Sequence, residues 1–348
     1  MKSTNLVAAA LLSLCVLGAP LESAHAASYR GLVVFGDSLS DSGNHAAKNG
    51  ADPSQVISGN DYYPFQAYAS GNFSNGPVWG ERLAQQLGLS GFKASALGGD
   101  NFSYAFAKVL SNGAVAPNSL PDQVKQYLNR AGGVADSESL YILEGGANDL
   151  FFNRSTAWNS SAAALLSTRY ATGVGAMVDK LQAAGARHIL VLNVPNLGIA
   201  PGVGGEGSQI SSNASLLAQT MNAALTQRLA AEGPEVRVFD FYGQWTQWHA
   251  AGPGASGFSN VSDACGAPSL TCDPNTALFW DAIHPTTAAH SAMAEAIFAQ
   301  VSQVPEPSSL LLWCAGLLLL CKRQSRRISA FMRRAEAAQN FGVGLTRA

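Results

Sequence analysis

Four short apolar runs constrain this chain more than anything else in it: Leu32 to Phe35 (LVVF), Leu140 to Leu143 (LYIL), Ile189 to Val194 (ILVLNV) and Val236 to Phe241 (VRVFDF). A strand with one wet face alternates apolar and polar residues, so an unbroken apolar run marks a strand covered on both faces, as in a parallel sheet. Longer stretches with helical spacing lie between the runs, at 77–88, 120–130, 161–184 and 213–232, with a last one at 286–302. Strand and helix in alternation imply crossover connections, and hence an α/β fold: a three-layer α/β/α sandwich around a mainly parallel sheet. Residues 54–75 and 243–275 are rich in Gly, Ser, Asn and aromatic residues without helical period, and are expected to be long insertions near the carboxyl ends of strands.

Composition narrows the partners. Residues 27–304 carry 13 Lys and Arg against 20 Asp and Glu, a balance of −7, while residues 322–348 carry seven basic residues against Glu336. An acidic body lacks the cations that neutralise phosphates, so no nucleic-acid partner is expected. With 47% hydrophobic and 13% charged residues the chain is also too apolar for a solvated, disordered one.

Both ends read as processing signals. Lys2, the apolar run Leu6 to Gly18 and Ala24-His25-Ala26 form a secretory signal peptide, 1–26, cleaved after Ala26. At the other end Pro305-Glu306-Pro307, the apolar Leu310 to Cys321 and the basic pairs Lys322-Arg323 and Arg326-Arg327 resemble the PEP-CTERM sorting tag of Gram-negative bacteria. That resemblance implies cleavage by a sorting protease of the cell envelope during surface delivery. An uncleaved transmembrane helix acting as a tail anchor is the other reading of the segment. The organisation is thus a leader at 1–26, a body at 27–303, a tag at 304–327 and a basic tail at 328–348; an exported protein is expected on either reading. Cys265 and Cys272, seven residues apart in a loop, are a disulfide candidate in an oxidising compartment, and no metal site is expected because no ligand cluster accompanies them.

Four segments carry chemistry. Gly36-Asp37-Ser38-Leu39-Ser40 follows the first strand directly, which places the Ser38 hydroxyl on a turn at the sheet's carboxyl edge. A serine hydroxyl is a weak nucleophile until a base takes its proton, and His284 is the candidate base. Asp281 precedes it by three residues in Asp281-Ala282-Ile283-His284-Pro285, a spacing at which a carboxylate can orient Nδ1–H and leave Nε2 for Ser38. Pro285 fits the first position of the last helix. Asn148, in Gly145-Gly146-Ala147-Asn148-Asp149, offers an amide as an oxyanion donor, and Gly98-Gly99-Asp100-Asn101-Phe102-Ser103-Tyr104 is a further glycine-rich turn. Alone, each segment also reads as a helix-capping turn or a surface histidine.

Together the blocks FGDSLSDSGN, GGDNFSYAFA, GGAND and DAIHPT resemble the GDSL lipases and esterases of the SGNH hydrolase superfamily, over about residues 30–302. The resemblance implies a flavodoxin-like sandwich and cofactor-free serine hydrolysis of carboxylic esters. It places the catalytic residues at Ser38, Asp281 and His284, and the oxyanion donors at the Ser38 amide, the Asn148 side chain and a backbone N–H at Phe106. The block pattern looks most like the bacterial phospholipase or lecithinase branch. One departure stands out: where the family has two glycines, this chain has Ala105-Phe106. Any non-proline residue supplies the N–H, but without glycine the backbone angles cost energy, and losing such a donor costs about 2.7–4 kcal/mol of transition-state stabilisation. Tyr62, Tyr63, Phe65, Phe73, Trp245, Trp248 and Phe258, in the insertions, either line an acyl groove or pack the loops. Removal of acetyl groups from an exopolysaccharide, acyl transfer to an alcohol, and ligand binding on an inactive scaffold are the competing functions.

Overall fold

The computed structural model describes residues 29–110, 119–154, 160–302 and 308–342; the expected leader and the Pro305-Glu306-Pro307 element lie outside them. Residues 27–302 form one compact unit. Its sheet has β1 (Leu32–Phe35), β2 (Leu140–Glu144), β3 (His188–Leu192) and β4 (Val236–Phe239), all parallel and in that order. Register runs from Leu32 opposite Leu140 to Phe35 opposite Leu143.

A fifth segment completes the outer side of β1. Val34 N–H donates to Asp100 O at 3.1 Å, Phe102 N–H to Val34 O at 2.8 Å and Tyr104 N–H to Gly36 O at 3.0 Å. Counting this edge piece as second in the chain, the order is 2-1-3-4-5, the flavodoxin-like arrangement. In such sheets the strand order reverses beside the first strand, and ligands bind outside the carboxyl ends at that switch point, here the loops after β1 and β2.

Helices cover the sheet in two sets. Ser160–Ala183 (α5) packs on both Leu120–Arg130 (α3) and Ser208–Leu229 (α7), and Trp79–Gln86 (α2) packs on Thr287–Val301 (α9). Residues of β1 and β2 are all buried, as an unbroken apolar run requires. β4 departs from that expectation, because it is the free edge: Val238 is exposed, and Arg237 donates to Gln300 O and to the Tyr29 hydroxyl.

Shorter helices lie at Asn44–Asn49 (α1), Ala147–Phe151 (α4), Pro201–Gly205 (α6) and Phe241–Ala251 (α8). α8 corrects the reading of 243–275 as one long loop. Asp240 caps it, accepting from Gly243 N–H at 2.9 Å, and Trp245 is buried edge-on between Phe241 and Phe279. Its aromatic face therefore belongs to the core and not to a groove. Two further strands, β5 (Asn260–Ala264) and β6 (Ala277–Phe279), form a small separate sheet. Between them Cys265 and Cys272 are disulfide-bonded. Pro285 does not open α9: Thr286 is the N-cap, accepting from Ala289 N–H, and the Pro285 carbonyl accepts from the Ser74 hydroxyl.

The C-terminal helix α10 (Ser308–Gly342) belongs to a second unit and carries both the apolar run and the basic pairs. Among the described residues no helix is long and apolar enough to cross a membrane.

Candidate active site

The turn after β1 is built to display Ser38. Asp37 O accepts from Ser40 N–H and Asp41 N–H, and Asp37 Oδ1 from Leu39 N–H at 3.0 Å. Gln123 of α3 clamps the strand end, donating to Gly36 O at 2.8 Å and accepting from its N–H at 2.9 Å. With its neighbours so committed, Ser38 is left half-buried at the floor of a cleft.

Nε2 of His284 lies 2.9 Å from Ser38 Oγ. Its Nδ1 lies 2.8 Å from Asp281 Oδ2 and 3.0 Å from Oδ1. Asp281 is fully buried, and Oδ1 also accepts the backbone N–H groups of Ile283 and His284, so the loop's own main chain fixes the carboxylate. Tyr68 completes this shell: its buried hydroxyl donates to Asp281 Oδ2 at 2.8 Å. Burial, then the Asp281 charge, pushes the Tyr68 phenol far up, so it stays a donor.

Donors gather on the opposite side. Gly146 opens α4 at φ 104°, where a Cβ would meet the Tyr170 ring at 2.5 Å, and this tight turn brings Asn148 to the cleft. Asn148 Nδ2 donates one hydrogen to Ala107 O at 3.0 Å, leaving the other for a substrate oxygen. Phe106 has φ 65° and is the sole non-glycine residue with positive φ among those described, a conformation costing about 1–3 kcal/mol. The expected strain at the Ala105-Phe106 pair is thus located at Phe106, while Ala105 N–H is bound to Asp41 Oδ2 at 3.0 Å.

Asp41 accepts from Gly43, Asn44, His45 and Ala105 N–H groups, and burial raises its pKa to about 6. Asp149 of the GGAND segment accepts from Val109 and Leu110. Beneath Ser38, Glu144 at the end of β2 accepts from Asp37 N–H at 3.2 Å and Ser40 Oγ at 2.9 Å, and Ser40 Oγ accepts from Trp79 Nε1. Burial raises Glu144 to about 7, and burial and the Glu144 charge raise Asp37 well above the carboxylate range. Burial thus favours the protonated form of both acids.

The cleft has a volume of about 260 Å³, with Tyr63, Phe65, Phe151, Phe152, Leu197 and Ile283 among its lining residues. Its cation, Arg154, is paired with Glu206, so the lining is apolar with little free charge. Of the aromatics proposed from the insertions, Tyr63 and Phe65 reach the cleft; Phe73 packs behind it, 5.4 Å from the His284 ring, and Trp248 packs on Phe258. Tyr62 packs beside Tyr68 and Trp280. A second depression, of about 340 Å³, lies away from these groups among Asn44, Lys48, Tyr104 and Arg130. No group of His, Cys, Asp and Glu among the described residues could hold a metal ion.

Tyr68, Glu144 and Asp37 have no role in the sequence reading. Asp37 lies inside the GDSL block and Glu144 just before the GGAND block, and an acid inside an apolar strand end was the available signal for Glu144.

Residues 32–297 match the family model described as GDSL-like Lipase/Acylhydrolase. The chain is 26% identical over 337 residues to a phosphatidylcholine-sterol acyltransferase of Aeromonas hydrophila, covering 81% of this chain and 94% of that one. It is 24% identical over 342 residues to a GDSL esterase/lipase of Arabidopsis thaliana, covering 85% and 96%. Among solved structures, an acetylxylan esterase from Geobacillus stearothermophilus superimposes with a TM-score of 0.39 at 12% identity, covering 79% of this chain and 94% of that one.

Proposed function

The chain belongs to the GDSL-like lipase/acylhydrolase family and is a carboxylic ester hydrolase, and from that premise we propose that it works through an acyl-enzyme on Ser38. The observation that carries this reading is the continuous relay from Asp281 through Nδ1 and Nε2 of His284 to Ser38 Oγ, at 2.8 and 2.9 Å.

His284 Nε2 takes the Ser38 proton as Oγ attacks the ester carbonyl. Negative charge moves to the carbonyl oxygen, facing the Ser38 amide, Asn148 Nδ2 and the Phe106 amide. Collapse of the tetrahedral intermediate expels the alcohol, which takes the proton from His284. Water then repeats the sequence against the acyl-enzyme, releasing acid and restoring Ser38. Asp281 holds the tautomer and offsets the imidazolium charge.

The apolar lining and the paired Arg154 support an uncharged apolar acyl chain, and so a lipid or short-chain ester in preference to an acetylated glycan. The phospholipase-like block pattern supports the same choice. Similarity to an acyltransferase supports a second outcome, capture of the acyl group by an alcohol. Export is supported by the Ala24-His25-Ala26 leader and by the disulfide, with the tag and its sorting protease as its surface form.

The test is hydrolysis of nitrophenyl esters from acetyl to palmitoyl by the purified protein beside Ser38→Ala and His284→Ala. Turnover should fall by at least about 10⁴-fold in each variant with the fold retained. Wild-type rates in either folded variant sink the mechanism, and acetate release from acetylated polymer with no longer acids released selects deacetylation. An ester product with added alcohol selects transfer, and an inactive wild type selects the binding scaffold.

A further inference from the structure

The turn carrying Phe106 is tethered on both sides but not at Phe106 itself. Ala105 N–H is held by Asp41, Ala107 N–H by Tyr104 O, and Val109 and Leu110 N–H by Asp149. The Phe106 N–H has no acceptor among the described residues, so no hydrogen bond at that amide holds the 105–106 peptide. A non-glycine residue left to itself would relax out of the left-handed region.

What touches Phe106 is a set of rings. His45 of α1 lies 5.8 Å from it at 64° and Phe73 lies 5.7 Å from it at 86°. His45 in turn packs on Phe73 at 5.2 Å and Tyr104 at 5.5 Å. Phe73 and Ala105 are buried together with Ala67, with Ala46 and Phe106 against them. His45 is buried, its Nδ1 has no hydrogen-bond partner among the described residues, and burial lowers its pKa, so the ring serves as a neutral packing surface.

We propose that His45 and Phe73 are positioning residues that clamp the Phe106 ring, hold its backbone left-handed, and so keep its amide in place as an oxyanion donor. In this chain ring packing does the work that glycine's conformational freedom does elsewhere. The proposal rests on the acyl-enzyme reading, and it extends the site to α1.

A double-mutant cycle between His45→Ala and Phe106→Gly, read as kcat and KM on a soluble nitrophenyl ester, tests it. Glycine keeps the N–H and adopts φ 65° unaided, so the two changes should not add. His45→Ala should lower kcat about tenfold with KM within about twofold, a partial version of losing a donor. In the Phe106→Gly background the same change should cost less than about twofold, and His45→Phe should restore the wild-type rate because it restores the ring. An equal penalty in both backgrounds, or His45→Phe as slow as His45→Ala, overturns the clamp. If His45→Ala does not fold, His45→Leu runs the same cycle. Turnover surviving in Ser38→Ala sinks the serine mechanism, whereas equal penalties beside an inactive Ser38→Ala sink the clamp alone.

Discussion

On one side of the cleft Ser38, Asp281 and His284 are fixed by directional bonds: two backbone N–H groups and Tyr68 on Asp281, and Asp281 in turn on His284. On the other, Phe106 sits in an unfavourable conformation with rings against it and, among the described residues, no acceptor for its N–H. In the proposed mechanism the first side moves a proton, which requires a set tautomer and a short donor–acceptor line. The second only presents N–H groups, which any rigid support can do. Packing fails when one ring shrinks, because the surrounding groups fill the space left only in part.

The largest expected break is on the directional side. Asp281→Asn keeps the shape but admits the wrong imidazole tautomer, so kcat should drop by about 10⁴ while the melting temperature moves little. A loss below tenfold would show that backbone bonds alone orient His284. Next, Asn148→Ala removes a donor from the oxyanion side, and kcat should fall about 10²–10³-fold with KM nearly constant. If KM rises instead, Asn148 binds ground-state substrate.

Tyr68→Phe should act on stability more than on turnover. The phenol donates to a buried carboxylate, so unfolding free energy should drop by about 1.5–3 kcal/mol, with kcat within about tenfold. A rate loss rivalling that of Asp281→Asn would make Tyr68 a full member of the relay.

The smallest effect is a slope. Glu144 is raised from 4.5 to about 7, so the folded protein keeps a proton that the unfolded chain releases at lower pH. The stability this contributes is complete below pH 4.5 and is lost as pH rises through about 7. Melting temperature should therefore fall between those limits, and Glu144→Gln, which cannot ionise, should flatten that part of the profile. A slope unchanged in the variant would assign it to Asp37 or Asp41.

The main strands were legible because burial on both faces leaves an unbroken apolar run, and LVVF and LYIL read unambiguously. The edge piece at 100–104 was not, since it pairs with β1 through a few bonds and contains Asp100, Asn101 and Ser103. α8 escaped because its buried side is aromatic, with Phe241 and Trp245 in place of the aliphatic spacing that marks a helix. The meeting of Ser38, Asp281 and His284 could be read because each lies in a short block with a recognisable local spacing. Tyr68 could not: it meets Asp281 across 213 positions of chain. Glu144 and His45 likewise act through partners that only the folded chain supplies.

The left-handed Phe106 also bears on how such a chain can change over generations. A glycine at this position would loosen the demand for a ring at residue 45, while Phe73 would still pack on the His284 ring; a bulky residue ties all three positions to one another. Substitution should therefore proceed in an order, with the rings at 45 and 73 in place before the glycine is lost and the glycine regained before either ring is given up. Related sequences should show ring-bearing residues at 45 and 73 where 106 is large, and wider variation at 45 where it is glycine.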